Sequence, residues 1–499
     1  MSLLGLDVGT TGAKAIVFAE DGNALGAGYR EYPLLQPQPG WAELDPEIVW
    51  RAVCEAVREA VSLAGGSDPV RALAVSSQAE AVVPVDEQLQ PLANSAVSFC
   101  TRTMGYERVW DGRLSEMDLY HITGQKLSHI YTAMKLMWLR DHEPTAFERA
   151  WRFLCYGDYV LARMGGEPAI DFSNAARTFC FDVRQERWSV EVLEGTGLQP
   201  ERLARPVPCG TPVGTMREQL AVELGLPGDT LLVVGAHDQP AGALGAGVVA
   251  PGMAVDSIGT VECLTAASDR LVLNEAAFAS GFPCYAHAVP GRYVSLAWVF
   301  SGGSILRWFR DTLCQGVAAE AGAAGMDPYD VMLRDAPEGP SEVLLLPYFA
   351  GSATPNYDSN AKGAIVGLTL STTRGDLLKA ALDGISYEMR LLLDLWEGAG
   401  VRVERVRAVG GGAKSDLWLQ QKADVYERPV ARVNVSDAAC LGMAFAAGTA
   451  CGVYDSMEDA AEAVVRETEA FEPRPSFSSR YAVARECYSR LYAAVRSLT

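Results

Sequence analysis

Histidine is scarce in this chain, positive charge is outnumbered, cysteines are never closely paired, and no apolar stretch is long. Five histidines occur in 499 residues, at 121, 129, 142, 237 and 287, none at the H-x-x-x-H or H-x-x-E-H spacing of a zinc site. The eleven cysteines are scattered with no C-x-x-C pair, so reduced thiols are expected and a zinc or disulfide framework is not. Lys and Arg number 42 against 62 Asp and Glu, a net charge of −20. An excess of that sign repels nucleic acid and anionic membrane surfaces, so neither is an expected partner, although a local site can still hold an anionic substrate. No apolar run reaches the ~18 residues of a membrane span. The opening MSLLGLDVGT runs directly into a strand-like segment. No secretory leader is therefore expected, and the cytoplasm is the expected compartment.

What remains is a globular composition, 49% hydrophobic and 21% charged, in a chain long enough for several domains with large cores. Residues 3–7 form a short apolar run, Gly9-Thr10-Thr11-Gly12 a tight turn, and 15–18 a second apolar run. Asp21-Gly22 marks another hairpin before a third strand at 24–32. Asp45-Pro46-Glu47 carries helix-start signals, and the helix is expected to run to about Ala64. A buried strand follows at 70–76. The second half opens alike, with a strand at 253–258 leading to Gly259-Thr260. A further strand at 405–409 ends in Gly410-Gly411-Gly412, followed by a helix from about Ser415. Helices fit 304–313, 375–397, 438–448 and 480–498, and the glycine-rich stretch 242–252 reads as the crossover between halves.

Four segments carry the pattern of phosphate chemistry. In Asp7-Val8-Gly9-Thr10-Thr11-Gly12-Ala13-Lys14 a strand delivers a carboxylate to its tip, glycines let backbone amides approach a phosphate, and Thr10, Thr11 and Lys14 can contact its oxygens. A carboxylate so close to a phosphate implies a cation between them, which suggests Mg²⁺. The Walker spacing is absent, and a plain hairpin turn beside an aspartate fits the same residues. Gly235-Ala236-His237-Asp238-Gln239-Pro240 ends a second apolar strand with Asp238, a candidate general base that is equally suited to capping a helix starting near Pro240. Ser257-Ile258-Gly259-Thr260 suits terminal phosphates, and Gly410-Gly411-Gly412 suits an adenosine lying on bare backbone or a simple strand-to-helix connector. Together, a strand ending in Gly-Thr in each half is hard to account for by turn chemistry alone.

With these residues in view, the chain resembles the FGGY family of carbohydrate kinases, within the actin-like ATPase superfamily, from Gly5 to about Gly452. The most specific match is Lys362-Gly363-Ala364-Ile365-Val366-Gly367-Leu368 with Asp376-Leu377-Leu378-Lys379-Ala380-Ala381-Leu382-Asp383-Gly384. The resemblance implies an α/β protein of two actin-like (ribonuclease H-like) ATPase domains, 1–246 and 247–499, with ATP and Mg²⁺ in the cleft between them. It implies Asp238 as catalytic base at the substrate, and Asp7 with Asp238 at the metal. Thr10, Thr11, Lys14, Gly259, Thr260, Gly303, Gly411 and Gly412 fall on the nucleotide motifs, and Gln78, Glu80 and Arg102 on the sugar side. The family's glycerol kinases carry an arginine where this chain has Ala79, and its xylulose kinases carry a Met-His pair there. The sugar motif Trp-x-Asp-x-Arg reads Ser98-Phe99-Cys100-Thr101-Arg102 here, keeping only the arginine. The expected substrate is a small sugar or polyol, by family prevalence a ketopentose such as xylulose. The alternative is a sugar-binding regulator of the same fold. A homodimer is compatible with either.

Overall fold

The computed structural model describes residues 1–66 and 68–498. The chain opens with β1 (Ser2–Val8), β2 (Gly12–Ala19) and β3 (Ala24–Glu31), an antiparallel meander in which β1 and β2 are buried almost throughout and β3 is largely exposed. Helix α1 (Pro46–Ala64) starts where Asp45 accepts the amides of Glu47 and Ile48, and it buries Val49, Val53, Ala56, Val57 and Ala60 along one stripe. Strand β4 (Val70–Ser77) returns parallel to β1. After a region of short elements that includes α2 (Phe172–Arg177), β5 (Pro212–Thr215) and β6 (Leu231–His237) complete a six-stranded sheet in the order β5-β6-β4-β1-β2-β3. Helix α3 (Asp238–Gly245) leaves the end of β6.

The second half repeats the scheme. Strands β7 (Gly252–Ile258) and β8 (Glu262–Ser268) form a hairpin, and β9 (Cys284–Ala286) and β10 (Tyr293–Val299) extend it antiparallel. Helices α4 (Gly303–Thr312) and α5 (Arg374–Ala399) follow. Then β11 (Val403–Val409) pairs parallel to β7, α6 (Asp416–Tyr426) and β12 (Val430–Val433) come next, and α7 (Ala438–Ala450) and β13 (Glu467–Phe471) close the sheet. Its order is β9-β10-β8-β7-β11-β12-β13. In each sheet a three-stranded antiparallel meander is flanked by two parallel strands, the duplicated mixed sheet of an actin-like α/β protein. No helix among the described residues is long and apolar enough to cross a membrane, and all eleven cysteines are free.

The halves interlock through two helices. A Cβ on Gly245 of α3 would stand 1.8 Å from the Ala438 carbonyl of α7, and one on Gly442 of α7 would stand 2.2 Å from the Ala241 carbonyl of α3. Only glycines allow that backbone approach. Two expectations are corrected here. The glycine-rich stretch at 242–252 is not all connector, because residues 242–245 are the end of α3 and their glycine serves helix packing. The expected 480–498 helix is two helices, α8 (Pro475–Tyr488) and α9 (Leu491–Arg496). Residues 379–384, the most specific sequence match, lie on α5 in the interior of the second half. There Lys379 pairs with Asp383, which also accepts from the Ser341 amide and Gln421. That part of the signature records buried packing, whereas Lys362, Val366, Gly367 and Leu368 in its first part are exposed.

Candidate active site

The first turn is braced from below. The Gly9 amide donates to the Gly12 carbonyl at 3.0 Å. The Gly9 carbonyl accepts from Tyr32 Oη at 2.5 Å and Gln78 Nε2 at 3.1 Å, and Gln78 Oε1 accepts from Thr10 Oγ1 at 3.0 Å. The structure therefore brings Gln78 to the turn, with its amide engaged there. Thr11 is exposed. Lys14 pairs with Asp437, the residue preceding α7.

Asp7 sits at the end of β1, where Ser76 Oγ donates to its Oδ1 at 2.9 Å. Burial, and then the negative charge of Asp238, push its carboxyl up to about 7. The two strand tips thus bring their carboxylates into mutual range. Asp238 behaves oppositely. Burial alone would raise it, but His237, Gln239 and the Arg177 guanidinium hold it below the usual carboxylate range. His237 Nε2 lies 2.9 Å from Asp238 Oδ1. The register of β6 on β4 shifts between Val234 and His237, a bulge that re-aims the strand end. Gly235 sits in that bulge because a Cβ there would meet the Val75 carbonyl at 2.0 Å. Asp238 is then the first residue of α3, two residues earlier than the Pro240 start expected from sequence.

A buried carboxyl that its neighbour's charge makes costly to ionise, beside a second carboxylate held ionised, suits a hard cation, which takes oxygen ligands and reverses that penalty. Among the described residues no group of three or more His, Cys, Asp or Glu could hold a metal. Asp7 and Asp238 therefore fit Mg²⁺ in its usual setting, with one or two protein carboxylates and the rest of the shell from water and phosphate oxygens.

The sugar-side candidates separate. Glu80 is buried at a left-handed φ of 65°. It accepts from Arg177 Nε at 2.6 Å, and Arg177 also donates to Gln125 Oε1 at 2.9 Å. The Glu80 carbonyl accepts from Thr132 Oγ1 at 2.9 Å and Lys135 Nζ at 3.1 Å, contacts that hold the strained backbone in place. Burial pushes Lys135 down to about 8 in spite of the Glu80 charge. Arg177 lies over the rings of Tyr131 and Tyr285. Arg102 stands elsewhere. Its guanidinium is between Trp41 and Trp138, at 4.0 and 4.9 Å from the ring centres, and bonds Glu43 at 2.6 Å. Only 4% of that side chain is exposed, so Arg102 is built into the wall.

On the nucleotide side the expected turns are stitched together. The Gly303 amide donates to the Gly259 carbonyl at 2.8 Å, and the Gly302 and Ser304 amides donate to the Thr260 carbonyl. Gly410 packs its backbone on Ile258, at φ 89°. Gly411 and Gly412 begin the following single turn, Gly411–Lys414. Beneath these exposed turns Lys422 of α6 is fully buried with Asp256 at 3.1 Å and Glu262 at 2.5 Å, and Tyr426 Oη donates to Asp256 at 2.9 Å. The two sheets meet at this place. Cys263 of β8 has its thiol pushed up by burial and by the charge of Asp238, and Tyr285 of β9 bonds His237.

Sequence reading did not single out Arg177, Gln125, Tyr285, His237 or Lys422. His237 carried the one available signal, standing beside Asp238 in a motif already noticed.

Comparisons with known proteins identify the family of the chain. The model of the FGGY family of carbohydrate kinases, N-terminal domain, matches residues 2–245, and that of the C-terminal domain matches 254–451. A xylulose kinase from Bacillus subtilis (strain 168) is 27% identical, over 99% of this chain and 97% of that protein. A glycerol kinase from Thermococcus onnurineus (strain NA1) is 31% identical, over 92% of this chain and 90% of that protein. A crystal structure described as a xyloylose kinase from Brucella ovis superposes with a TM-score of 0.87 at 28% identity, covering 100% of both chains.

Proposed function

This chain belongs to the FGGY family of carbohydrate kinases, and from that premise we propose that it transfers the γ-phosphoryl group of ATP to a hydroxyl of a small sugar, with Asp238 as general base. The class of reaction, an ATP-dependent sugar phosphotransfer, follows from the family. The residue roles and the sugar are our reading. What supports it is the placing of Asp7 near the end of β1 and Asp238 just after β6, with Asp7 raised by burial and the charge of Asp238 while neighbours hold Asp238 below the usual carboxylate range.

In this reading the halves, 1–246 and 247–499, divide the work. Thr10, Thr11 and Lys14 face the phosphates from the first half. Gly259, Thr260 and Gly303 do so from the second, and Gly411 and Gly412 support the adenosine. Asp7 and Asp238 would hold Mg²⁺, which when bound would offset phosphate charge. Asp238 takes the hydroxyl proton as the sugar oxygen gains the phosphoryl group, a role worth about 10²–10⁴ in rate. Positioning and electrostatics supply the rest. Glu80 with its partner Arg177 lines the sugar pocket, Gln78 steadies the phosphate turn, and Arg102 shapes the wall behind. The substrate we favour is a ketopentose such as xylulose, met in the cytoplasm. Support for it comes from family prevalence and the xylulose kinase relative; Ala79 departs from the glycerol kinase pattern and from the xylulose kinase Met-His pair alike.

An ADP-release assay over ketoses, aldonates and polyols tests the proposal. We expect sugar-dependent turnover, and we expect Asp238→Asn to lower kcat by about 10²–10⁴-fold while ATP still binds. ATP turnover indifferent to every sugar, or an Asp238→Asn enzyme at the parental rate, overturns it.

A further inference from the structure

Beyond the base itself, the surroundings of Asp238 point to a brace built from both halves. His237 ends β6 of the first sheet, and its backbone amide donates to Ser173 Oγ at 2.9 Å, anchoring the residue on α2. Its ring faces two partners. Nε2 lies 2.9 Å from Asp238 Oδ1, and Nδ1 lies 3.0 Å from Tyr285 Oη on β9 of the second sheet. A proton on Nε2 is the tautomer that makes this approach attractive, because two lone pairs at that distance repel. With Nε2 protonated, a neutral ring has its lone pair on Nδ1, and the Tyr285 hydroxyl donates to it. Burial holds the Tyr285 phenol well above its ordinary value, so it stays a donor.

The carboxylate is also asymmetric. Oδ1 is buried with no in-line hydrogen bond, while the Asp238 side chain as a whole is 35% exposed. The inner oxygen therefore faces His237, and the outer oxygen, Oδ2, faces the open side. A contact at bonding distance but out of line is the usual state of a catalytic hydrogen bond before substrate aligns it.

We propose that Tyr285 and His237 are positioning residues for Asp238. Tyr285 fixes the ring proton on Nε2, that N–H comes into line with Oδ1 as substrate binds, and Oδ2 is thereby presented to the substrate hydroxyl. As the sugar oxygen bonds to phosphorus and the bond to the ADP oxygen breaks, the hydroxyl proton passes to Oδ2. Because Tyr285 and His237 come from different sheets, the base is fully oriented only when the halves are docked. The inference rests on Asp238 being the base.

The test uses the full chain, ATP and the sugar of highest kcat/KM in the panel. Tyr285→Phe should lower kcat by about 10-fold and His237→Ala by about 100-fold, within the range of general-base help, with both KM values within about twofold. His237→Gln places an amide N–H near the Nε2 position without needing Tyr285, so it should recover most of the rate lost in His237→Ala. In the His237→Gln background, adding Tyr285→Phe should change kcat by less than about twofold, the non-additivity expected of a shared interaction. Melting temperatures identify any variant that fails to fold, and the Gln-background pair still decides the matter if His237→Ala does. If Tyr285→Phe and His237→Gln/Tyr285→Phe lose rate equally, or if His237→Ala retains kcat, the brace is wrong. If Asp238→Asn itself retains kcat, the base assignment is wrong, a separate outcome.

Discussion

At the tip of the first sheet burial and the charge of Asp238 push Asp7 up to about 7, and in the second sheet burial and the charge of Asp256 push Glu262 up to about 8. The strand pattern is the same in both places, and so is the electrostatic difficulty. Its resolution differs. The second half supplies its own cation: Lys422 is fully buried between the two carboxyl groups, and one ammonium with one carboxylate and one protonated carboxyl leaves the interior neutral. The first half has Arg177 and His237 beside Asp238 but, among the described residues, no buried lysine paired with Asp7. Lys14, which faces Asp7 across the β1–β2 register, is joined to Asp437 instead. One copy of the motif thus became a rigid floor beneath the Gly259-Thr260 turn. The other left Asp7 without a buried cation of its own, which in the proposed function is the place of the metal.

The sharpest way to break this comparison is to remove the internal cation. Lys422→Met strands Asp256 and Glu262, and we expect a loss of about 3–5 kcal/mol in denaturant unfolding. A loss below about 1 kcal/mol would mean that the lysine is not the floor's counter-charge. Next comes Asp7→Asn. Removing a carboxylate that is costly to ionise should raise the melting temperature at about pH 8, while turnover falls by about 10²-fold for want of the metal ligand. An enzyme that melted lower and still turned over would place Asp7 with the structural carboxylates.

How much of this could be read from residues alone depends on chain separation. The β1–β2–β3 meander, the α1 start at Asp45-Pro46 and both Gly-Thr turns were legible, because hairpin glycines, caps and apolar alternation act over a few residues. Asp238 was legible as a strand-tip acid. Its orientation was not, since Tyr285 lies 48 positions from His237, and Arg177 lies 97 from the Glu80 it neutralises. Arg102 shows the converse. It matched a motif position, yet three aromatic and acidic neighbours distant in sequence hold it in the wall. Gly245 was misread for a related reason, because a glycine needed for helix contact and one needed for a turn look alike in sequence.

A smaller effect concerns pH. Glu262 has a folded-state value of about 8 against an ordinary 4.5. The folded chain therefore holds this proton more tightly than the unfolded chain, and the stability it contributes is complete below about pH 4.5 and lost as pH rises through about 8. The melting temperature should fall between about pH 4.5 and about pH 8, and Glu262→Gln should flatten that slope. An unchanged slope would show that Glu262 is already ionised opposite Lys422.

The smallest expected effect is at the lysine of the first half. Lys14 and Asp437 are 39% and 28% exposed, so their pair resembles a surface contact more than a buried one. Lys14→Met should cost less than about 1 kcal/mol of stability, against the larger loss expected at Lys422. Its consequence belongs in the KM for ATP, which should rise, because the lysine is held at the phosphate turn by a bond weak enough to exchange. Asp437→Asn releases the same ammonium and should leave that KM unchanged or lower it. If both substitutions instead destabilised the chain as strongly as Lys422→Met, the pair would be a bolt between the halves, and the first half would have used its cation for structure after all.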